Sequence, residues 1–470
     1  MTKTAFLALG LLALSTSSLA APSDFAPTAR PGISWSGPHA LRVPAVAPAV
    51  ALPARPLTLA ELTDFALLNN PRTRETWAAA RADAAALGIA EAAFFPTIDG
   101  LISATRTRSS NNSNNTTNTS SNNSSGSQTR ISPGISLSYV LFDFGARAAS
   151  ADAARYALLA ANLSQNRALQ DVVLQVEQAY FSLLGARQTI VAARQTLATA
   201  QASFDAANAR RAAGLATIGD VYQAQTALAQ ARLALERATG EAAKFRGELA
   251  TAIGLAANAP LDVATPEAPP TREIKNTVDA YLDQARTNRP DLVAAEAQFR
   301  AARANIDVAT AQGLPSLELG ANVGRTYNSN GNDTSNNSIT LNLRIPLFNG
   351  YRTRYGIDQA RARAEQAAAA RDRIVLQVEL EVWQAYHDLD TARAQIESAR
   401  ALLASAALSR EVAQERYRAG VGNVLEVLTA QAAEADARLQ SIQAELGWYS
   451  ALARLNNAIG MFATAPQERG

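Results

Sequence analysis

Two stretches of the chain resemble one another: residues 177–190 read EQAYFSLLGARQTI, and residues 383–396 read WQAYHDLDTARAQI. Gln178-Ala179-Tyr180 matches Gln384-Ala385-Tyr386 at an offset of 206 residues, and the same offset relates Gly214 to Gly420 and Asp220 to Glu426. A fixed offset kept over a long stretch is the signature of an internal repeat. We therefore predict that the chain contains two copies of one structural unit.

Upstream of these stretches the offset is larger, since Asn70-Pro71 corresponds to Arg289-Pro290 and Pro96 to Pro315, a distance of 219 residues. The extra 13 residues fall between Pro96 and Leu141, where residues 109–128 form a tract of Asn, Ser and Thr. Polar tracts of this kind are typical of solvated loops. The first copy is thus predicted to carry a longer hairpin loop than the second.

Each copy is predicted to have the same order of elements. A helical segment (about 57–93 and 277–312) ends near a proline and is followed by a β-hairpin (about 97–144 and 316–347). A very long helix (about 145–213 and 350–418), a glycine-containing turn and a return helix (about 219–255 and 424–460) complete the copy. The predicted organisation is therefore repeat 1 over 57–259, a linker over 260–276, repeat 2 over 277–460 and a tail over 461–470.

The N-terminus has the features of a secretory signal over residues 1–20. Lys3 precedes a short apolar run over residues 5–14, and Ser18-Leu19-Ala20 offers a small-residue cleavage site. Residues 21–56 are rich in proline and are predicted to be extended. No later run is long and apolar enough for a spanning helix, so we expect any membrane span of this chain to be β.

The long helices carry a seven-residue apolar repeat, which predicts left-handed supercoiling against other helices. In the first copy it comprises Leu169, Val176, Leu183, Ile190, Leu197 and Phe204, and in the second Val375, Val382, Leu389, Ile396 and Leu403. A helix of 69 residues spans roughly 100 Å. The heptads alone fit a filamentous coiled coil, a bundle or a hollow helical cylinder equally well.

The predicted strands alternate between apolar and polar residues, as amphipathic or membrane-barrel strands do. The apolar positions are Ile135, Leu137, Tyr139 and Leu141 in the first copy, and Leu317, Leu319, Ala321, Val323, Ile339, Leu341, Leu343, Ile345 and Leu347 in the second. Aromatic residues lie near the strand ends, at Phe94, Phe95, Phe142, Phe144, Phe348 and Tyr351, as in the interfacial girdle of a barrel. Four strands are too few to close a barrel, and open edges are not tolerated in lipid. If these strands span a membrane, several chains must therefore share one barrel.

Two glycine turns carry the most specific motifs. The first reads RRAAGLATIGDV over residues 210–221, and the second reads YRAGVGNVLEVL over residues 417–428. In both, an acidic residue follows a glycine six positions later and a valine comes next. Each glycine suits the end of a helix, Thr217 and Asn423 suit the N-cap of the next, and Asp220 and Glu426 suit its first turn.

With the repeated heptads and hairpins, these turns resemble the TolC-like outer-membrane efflux family over about residues 57–460. The resemblance implies a mainly α fold with β: a long coiled-coil helical barrel plus a β-barrel shared by three chains, with four strands from each. It implies a homotrimer in the outer membrane of a Gram-negative bacterium that contacts outer-membrane lipid and extends into the periplasm. Its partners would be a periplasmic adaptor protein and an inner-membrane transporter, in a tripartite efflux or type I secretion system with a passive duct.

The resemblance also implies roles for the two turns, as the periplasmic mouth. Asp220 and Tyr417 become a candidate gate pair and Glu426 a candidate mouth-lining carboxylate. The adaptor-docking tips would be Arg211, Gly214, Leu215, Thr217, Arg418, Gly420, Val421 and Asn423. Gly422 and Thr429 stand where well-described members have a basic and an acidic residue, which predicts a weaker or differently built gate.

Composition argues against most other classes. The 470 residues include no Cys and two His, and 43 basic residues against 41 acidic ones give a net charge of +2. No nucleic-acid partner, cofactor, metal site or catalytic site is therefore predicted, and no phosphate loop or nucleophile elbow occurs. We interpret the chain as a non-enzyme. The alternative interpretation is a periplasmic or surface structural coiled-coil protein.

Overall fold

The computed structural model describes residues 53, 55–109, 126–265, 277–329 and 331–461, which all belong to one unit of the chain, Ala49–Gly470. The signal segment 1–20, nearly all of the Pro-rich segment 21–56, the Asn/Ser/Thr loop, most of the linker 260–276 and the tail after Met461 lie outside the described residues. Among those described, no helix is both long and apolar enough to cross a membrane.

The same order of elements occurs in both halves of the chain. The first half contains α1 (Leu59–Asn69), α2 (Pro71–Ala92), β1 (Thr97–Ser109), β2 (Gly126–Phe142), α3 (Ala146–Ala212) and α4 (Ile218–Ala252). The second half contains α5 (Val278–Asn288), α6 (Pro290–Ala311), β3 (Ser316–Asn328), β4 (Thr334–Arg344), α7 (Arg352–Arg418) and α8 (Val424–Ala458). The predicted long helices, hairpins and return helices are present within a few residues of their expected bounds.

One expectation is corrected: the first helical segment of each half is two helices, not one. Pro71 and Pro290 have no amide hydrogen and disfavour helical angles in the residue before them. Asn70 accordingly has φ −64° and ψ 131°, and Arg289 has φ −77° and ψ 118°. Each residue ends one short helix and begins the next, with the proline in the first helical position.

Asn70 and Arg289 also tie these breaks to the ends of the return helices. The Asn70 amide donates to the carbonyl oxygen of Ala252 at 2.8 Å. At the corresponding place in the second half, Arg289 donates to the carbonyl oxygen of Ala458 at 3.2 Å and to Glu381 Oε2 at 2.6 Å. Its guanidinium also pairs with Asp291. The junctions therefore lie at corresponding positions in the two halves, but the first is held by a side-chain amide and the second by a guanidinium with two carboxylates.

The four strands form one antiparallel sheet in the order β1-β2-β3-β4, so the two hairpins pair through β2 and β3. The register puts Ile98 beside Leu137, Leu137 beside Ala321, and Ala321 beside Ile339. One face is therefore apolar across all four strands, while Ser136, Asn322 and Ser338 share the polar face. Ile98, Ile135, Val323 and Ile339 are all more than half exposed in the single chain.

The predicted alternation fails at two places. A register shift between Val140 and Phe142 makes Leu141 an extra residue, so that Phe142 rather than Leu141 pairs with Leu317. A bulge of this kind inserts one residue and reverses the faces beyond it. In addition β4 ends at Arg344, and Ile345 and Leu347 lie after the strand. The six aromatic residues near the strand ends are all exposed by at least 40 % of their surface.

The four helices α4, α3, α8 and α7 pack side by side in that order. Helices α3 and α8 are adjacent, and each also packs against the other helix of its own helical hairpin. Phe181 of α3 stacks on Tyr449 of α8 with 4.7 Å between ring centroids. Gly185 of α3 allows a close approach, because an added Cβ would lie 1.8 Å from Leu446 Cδ1. Around these contacts Val176, Tyr180, Leu183 and Leu249 form the main buried core.

Candidate functional site

The first hairpin tip turns at Gly214, which has φ +73°. Its amide donates to the carbonyl oxygen of Arg211 at 2.9 Å, and the Leu215 amide donates to that of Arg210 at 2.8 Å. This pair of hydrogen bonds is the Schellman arrangement at the end of a helix, where glycine adopts the left-handed conformation without strain. Gly420 repeats it at φ +79°, and the Val421 amide donates to Arg416. The predicted position of both glycines at the end of a long helix is confirmed.

The return helices begin at the predicted caps. Thr217 Oγ1 accepts from the Asp220 amide at 3.2 Å, while Asp220 Oδ2 accepts from the Thr217 amide at 2.8 Å, which completes a capping box. In the second tip Asn423 Oδ1 accepts from the Glu426 amide at 2.8 Å. Both acidic residues thus stand at helix N-termini, where the helix dipole stabilises a negative charge.

The two tips are joined within one chain by Arg210, a residue that the sequence interpretation missed. Its guanidinium carbon lies 4.2 Å from the centre of the Tyr417 ring. The same guanidinium donates to the carbonyl oxygens of Tyr417 at 2.9 Å and of Arg418 at 3.3 Å. A cation on an aromatic face and at a helix C-terminus is favourable on both counts. The sequence offers an arginine four residues before each glycine, at Arg210 and Arg416. It does not show which of these two arginines reaches the other helical hairpin.

Of the candidate gate residues, Tyr417 takes part in the contact with Arg210, and Asp220 and Glu426 are bonded to the caps of their own helices. Within the part of the chain that the structure describes, no hydrogen bond joins Asp220 to Tyr417, since the contacts of Asp220 go to Thr217 and Tyr417 packs on Arg210. Glu426 is occupied by its own cap, Asn423. The gate pair and the mouth-lining role therefore remain predictions.

The predicted docking residues form an exposed rim on each tip. Leu215 is 75 % exposed and Val421 70 % exposed, and both follow their glycines at the outermost turn. Arg211 is exposed, and Arg418 pairs with Glu415 at 2.7 Å. Each tip therefore presents one large apolar side chain to solvent.

Gly422, which stands where a basic residue was expected, packs closely against the end of α7. Its amide donates to the carbonyl oxygen of Arg416 at 3.0 Å, and an added Cβ would lie 3.1 Å from the Tyr417 nitrogen. A side chain at this position would press on the end of α7. The second tip therefore folds back on its own helix where other members are expected to carry a charge.

Comparison with protein-family models matches the chain to the outer membrane efflux protein model over residues 62–255 and 281–461. The protein CyaE of Bordetella pertussis is 34 % identical over 430 residues, which cover 90 % of this chain and 86 % of that protein. The outer membrane protein OprJ of Pseudomonas aeruginosa is 30 % identical over 424 residues, or 87 % of this chain and 86 % of OprJ.

Solved structures give the same result for the fold. A membrane protein from Pseudomonas aeruginosa is 29 % identical, with a TM-score of 0.74 over 86 % of this chain and 93 % of that one. The outer-membrane channel OprN is 22 % identical, with a TM-score of 0.77 over 86 % of this chain and 90 % of that chain. At that identity the second likeness concerns the fold alone.

Proposed function

The chain belongs to the outer membrane efflux protein family, and we propose that it forms the passive exit duct of a tripartite efflux or type I secretion system. Proteins of this family lie in the outer membrane of Gram-negative bacteria and extend into the periplasm, where they work with an adaptor and an inner-membrane transporter. The long helices, the amphipathic four-stranded sheet and the lipid-compatible apolar face suit that place.

The observation that carries the proposal is the incompleteness of one chain. Its described sheet has four strands in the order β1-β2-β3-β4 and exposes an apolar face, which is poorly suited to water, while its two open edges are not tolerated in lipid. Three copies would supply twelve strands, within the range of known barrels. We therefore propose a homotrimer with a shared β-barrel above a helical tunnel.

The proposed duct carries out no chemical step and provides only a path for the cargo. Cargo enters at the tips after the transporter and adaptor have recruited the duct, and the transporter supplies the energy. The adaptor docks on the rim formed by Leu215, Val421 and their neighbours, and opening shifts the hairpin tips relative to one another. Asp220, Tyr417 and Glu426 are proposed to face the narrowest part of the entrance.

Cell fractionation and size analysis of the detergent-extracted protein test the proposal. We expect a trimer in the outer-membrane fraction that heat converts to monomer. A soluble periplasmic species, monomeric or filamentous, would instead establish the structural coiled-coil alternative, because the apolar face of the sheet would then not be in lipid.

The gate assignment has its own test. Tyr417→Phe keeps the ring under Arg210 and removes only the hydroxyl, so a rise in conductance of the trimer in a planar bilayer would show that the hydroxyl holds the entrance closed. Tyr417→Leu removes the ring as well and serves as the stronger comparison. Unchanged conductance in both variants would remove Tyr417 from the gate.

A further inference from the structure

Three arginines lie on the apolar face of the sheet, toward the ends of the strands that the β-hairpin loops join. Arg106 and Arg108 of β1 share this face with Ile98, because side chains two residues apart in a strand point to the same side. Arg325 of β3 shares it with Val323 for the same reason. All three arginines are exposed in the single chain.

Charge on this face is confined to the loop end of the sheet. At the end nearest the helices the face carries Leu137, Leu317 and Leu343, and among the described strand residues it contains no acidic side chain. Asp333, whose carboxylate lies 3.8 Å from the Arg325 guanidinium, belongs to the loop before β4 rather than to the face. The apolar face is therefore positive at one end and neutral at the other.

The arginines begin about one apolar membrane thickness away from the helix end. Arg106 lies eight residues beyond Ile98, and Arg325 lies eight residues beyond Leu317, which is about 27 Å along an extended strand. Barrel strands tilt by roughly 40°, so this corresponds to about 20 Å of depth, in an apolar band that is about 25 Å tall in such barrels. The guanidinium groups are thus placed at the level of lipid headgroups, where a charge on the lipid side costs little.

A hollow of about 650 Å³ lies on the same face beside Arg325. Gly100 leaves it open, because an added Cβ at this position would meet nothing within 4 Å. The apolar side chains that line the hollow are Ile102, Pro133, Ile135 and Val323. An apolar depression with a guanidinium at one end is complementary to an acyl chain that carries an anionic headgroup.

We infer that the loop end of the apolar face is a binding site for lipopolysaccharide, with an acyl chain in the hollow beside Gly100 and phosphates on Arg106, Arg108 and Arg325. Guanidinium groups bind phosphate through paired, charge-assisted hydrogen bonds. The inference rests on the proposed function, in which the helices extend into the periplasm and the loop ends of the strands face the cell exterior. The lipid at that end is the phosphorylated glycolipid of the outer leaflet.

Lipid binding by the full-length trimer tests the site. The trimer in mild detergent is titrated with rough lipopolysaccharide, and the bound lipid is counted by native mass spectrometry. One arginine near an anionic lipid surface contributes a factor of about five in affinity. We expect Arg325→Gln to lower the apparent affinity about fivefold, and Arg106→Gln combined with Arg108→Gln to lower it on the order of twentyfold.

Arg130→Gln is the matched control. Arg130 pairs with Thr105 of β1, so it lies at nearly the same level as Arg106, but it is on the polar face, where its guanidinium donates to Asn328 Oδ1 at 3.2 Å. Its replacement should leave the affinity unchanged. An equal loss in Arg130→Gln, or no loss in the variants of Arg106, Arg108 and Arg325, would overturn the site.

The hollow has a separate test. Gly100→Leu fills it and should displace at least one buried methylene of the acyl chain, for a loss of about fourfold in affinity. Ala104→Leu adds the same bulk on the same face of β1, beside Ile131 and outside the lining of the hollow, and should have little effect. Equal affinities in the two variants would remove the acyl chain from the hollow.

Two further probes identify the lipid. Lipopolysaccharide from which the phosphates have been removed should bind the wild type as weakly as it binds the arginine variants, and phosphatidylglycerol should bind more weakly than intact lipopolysaccharide. Equal affinity for either probe would overturn the assignment to the phosphorylated glycolipid. A monomeric or soluble protein would contradict the proposed duct itself, whereas an outer-membrane trimer without these preferences would overturn the lipid site alone.

Discussion

The two long helices α3 and α7 each contain 67 residues and come from matching stretches of sequence, yet they differ in burial. Twenty residues of α3 are buried against nine of α7. Large apolar side chains of α7 remain exposed, among them Leu376, Leu380, Trp383, Leu408 and Val412, each by more than half of its surface. The seven-residue apolar pattern of a segment therefore determines that it forms a helix, whereas the neighbouring helices determine which of its faces is covered.

The difference has a simple cause. α3 lies between α4, α6 and α8 of its own chain, whereas α7 has in-chain neighbours on one side, chiefly α6 and α8. The other side of α7 retains apolar residues that would be costly in a monomer. Helix α3 is accordingly covered by neighbours from its own chain, whereas one side of α7 is not.

The largest difference in stability between the two halves is expected from substitutions at the α1–α2 and α5–α6 junctions. Arg289→Ala removes a guanidinium that is 2 % exposed and leaves Asp291, Glu381 and the Ala458 carbonyl without it. Loss of one partner of a buried ion pair costs several kcal/mol, here about 2–4 because both carboxylates keep some contact with water. We expect a clear fall in the thermal midpoint of the purified trimer.

Asn70→Ala is the matched variant in the first half. It removes the hydrogen bond to the Ala252 carbonyl and the cap on the Arg72 amide, for about 1–2 kcal/mol. If the two variants lowered the midpoint equally, the junctions would not differ in the way that their contacts indicate.

The next effect concerns one repeat position that has opposite surroundings in the two halves. Glu177 of α3 is 7 % exposed, and its counterpart Trp383 of α7 is 51 % exposed. Burial raises the pKa of the Glu177 carboxyl from 4.5 to about 7. The folded state therefore holds this proton more tightly than the unfolded state, so stability is lost as the pH rises from about 4.5 through 7.

Glu177→Gln removes that titration. Its free energy of unfolding should match that of the wild type near pH 4.5 and exceed it at pH 8 by an amount on the order of 2 kcal/mol, which appears as a higher thermal midpoint at pH 8. Thermal scans of both proteins across this range make the measurement. A difference that stayed constant with pH would show that the carboxyl ionises as freely in the folded protein as outside it.

The smallest effect is expected at the two tips. Thr217→Ala loses the cap on the Asp220 amide, but Asp220 still accepts from the amide of residue 217. Asn423→Ala loses its cap without such a reciprocal bond to the backbone. Both should cost about 1 kcal/mol, and the cost should be greater for Asn423→Ala. Hydrogen exchange of the first-turn amides, measured tip by tip, should rank the variants in that order, and the reverse order would contradict the capping box.

Much of the fold could be predicted from the sequence because it repeats local signals. Heptads, period-two strands, and glycines followed by Thr217 or Asn423 depend on near neighbours in the chain. The break at Pro71 escapes this reasoning because the helical pattern continues on both sides of the proline, which is itself tolerated in the first turn of a helix. The bulge at Leu141 could not be predicted because the apolar residues alternate regularly up to Leu141, so the pattern gives no sign of an inserted residue.

The joint at the tips could not be predicted in the same way. Arg210 and Tyr417 are 207 residues apart, and their contact depends on how the two helical hairpins lie against each other. Local pattern placed Asp220 correctly in the first turn of its helix, but it gave no information on which side chain crosses to the other hairpin. Such information comes only from packing.

Among the residues that the structure describes, the order β1-β2-β3-β4 leaves a strand with one unpaired side at each end of the sheet. Each chain that reaches the membrane therefore brings two hydrogen-bonding edges that only another chain can complete. Assembly therefore requires chains to meet, and until they do, each open edge can pair with another extended chain and lead to aggregation.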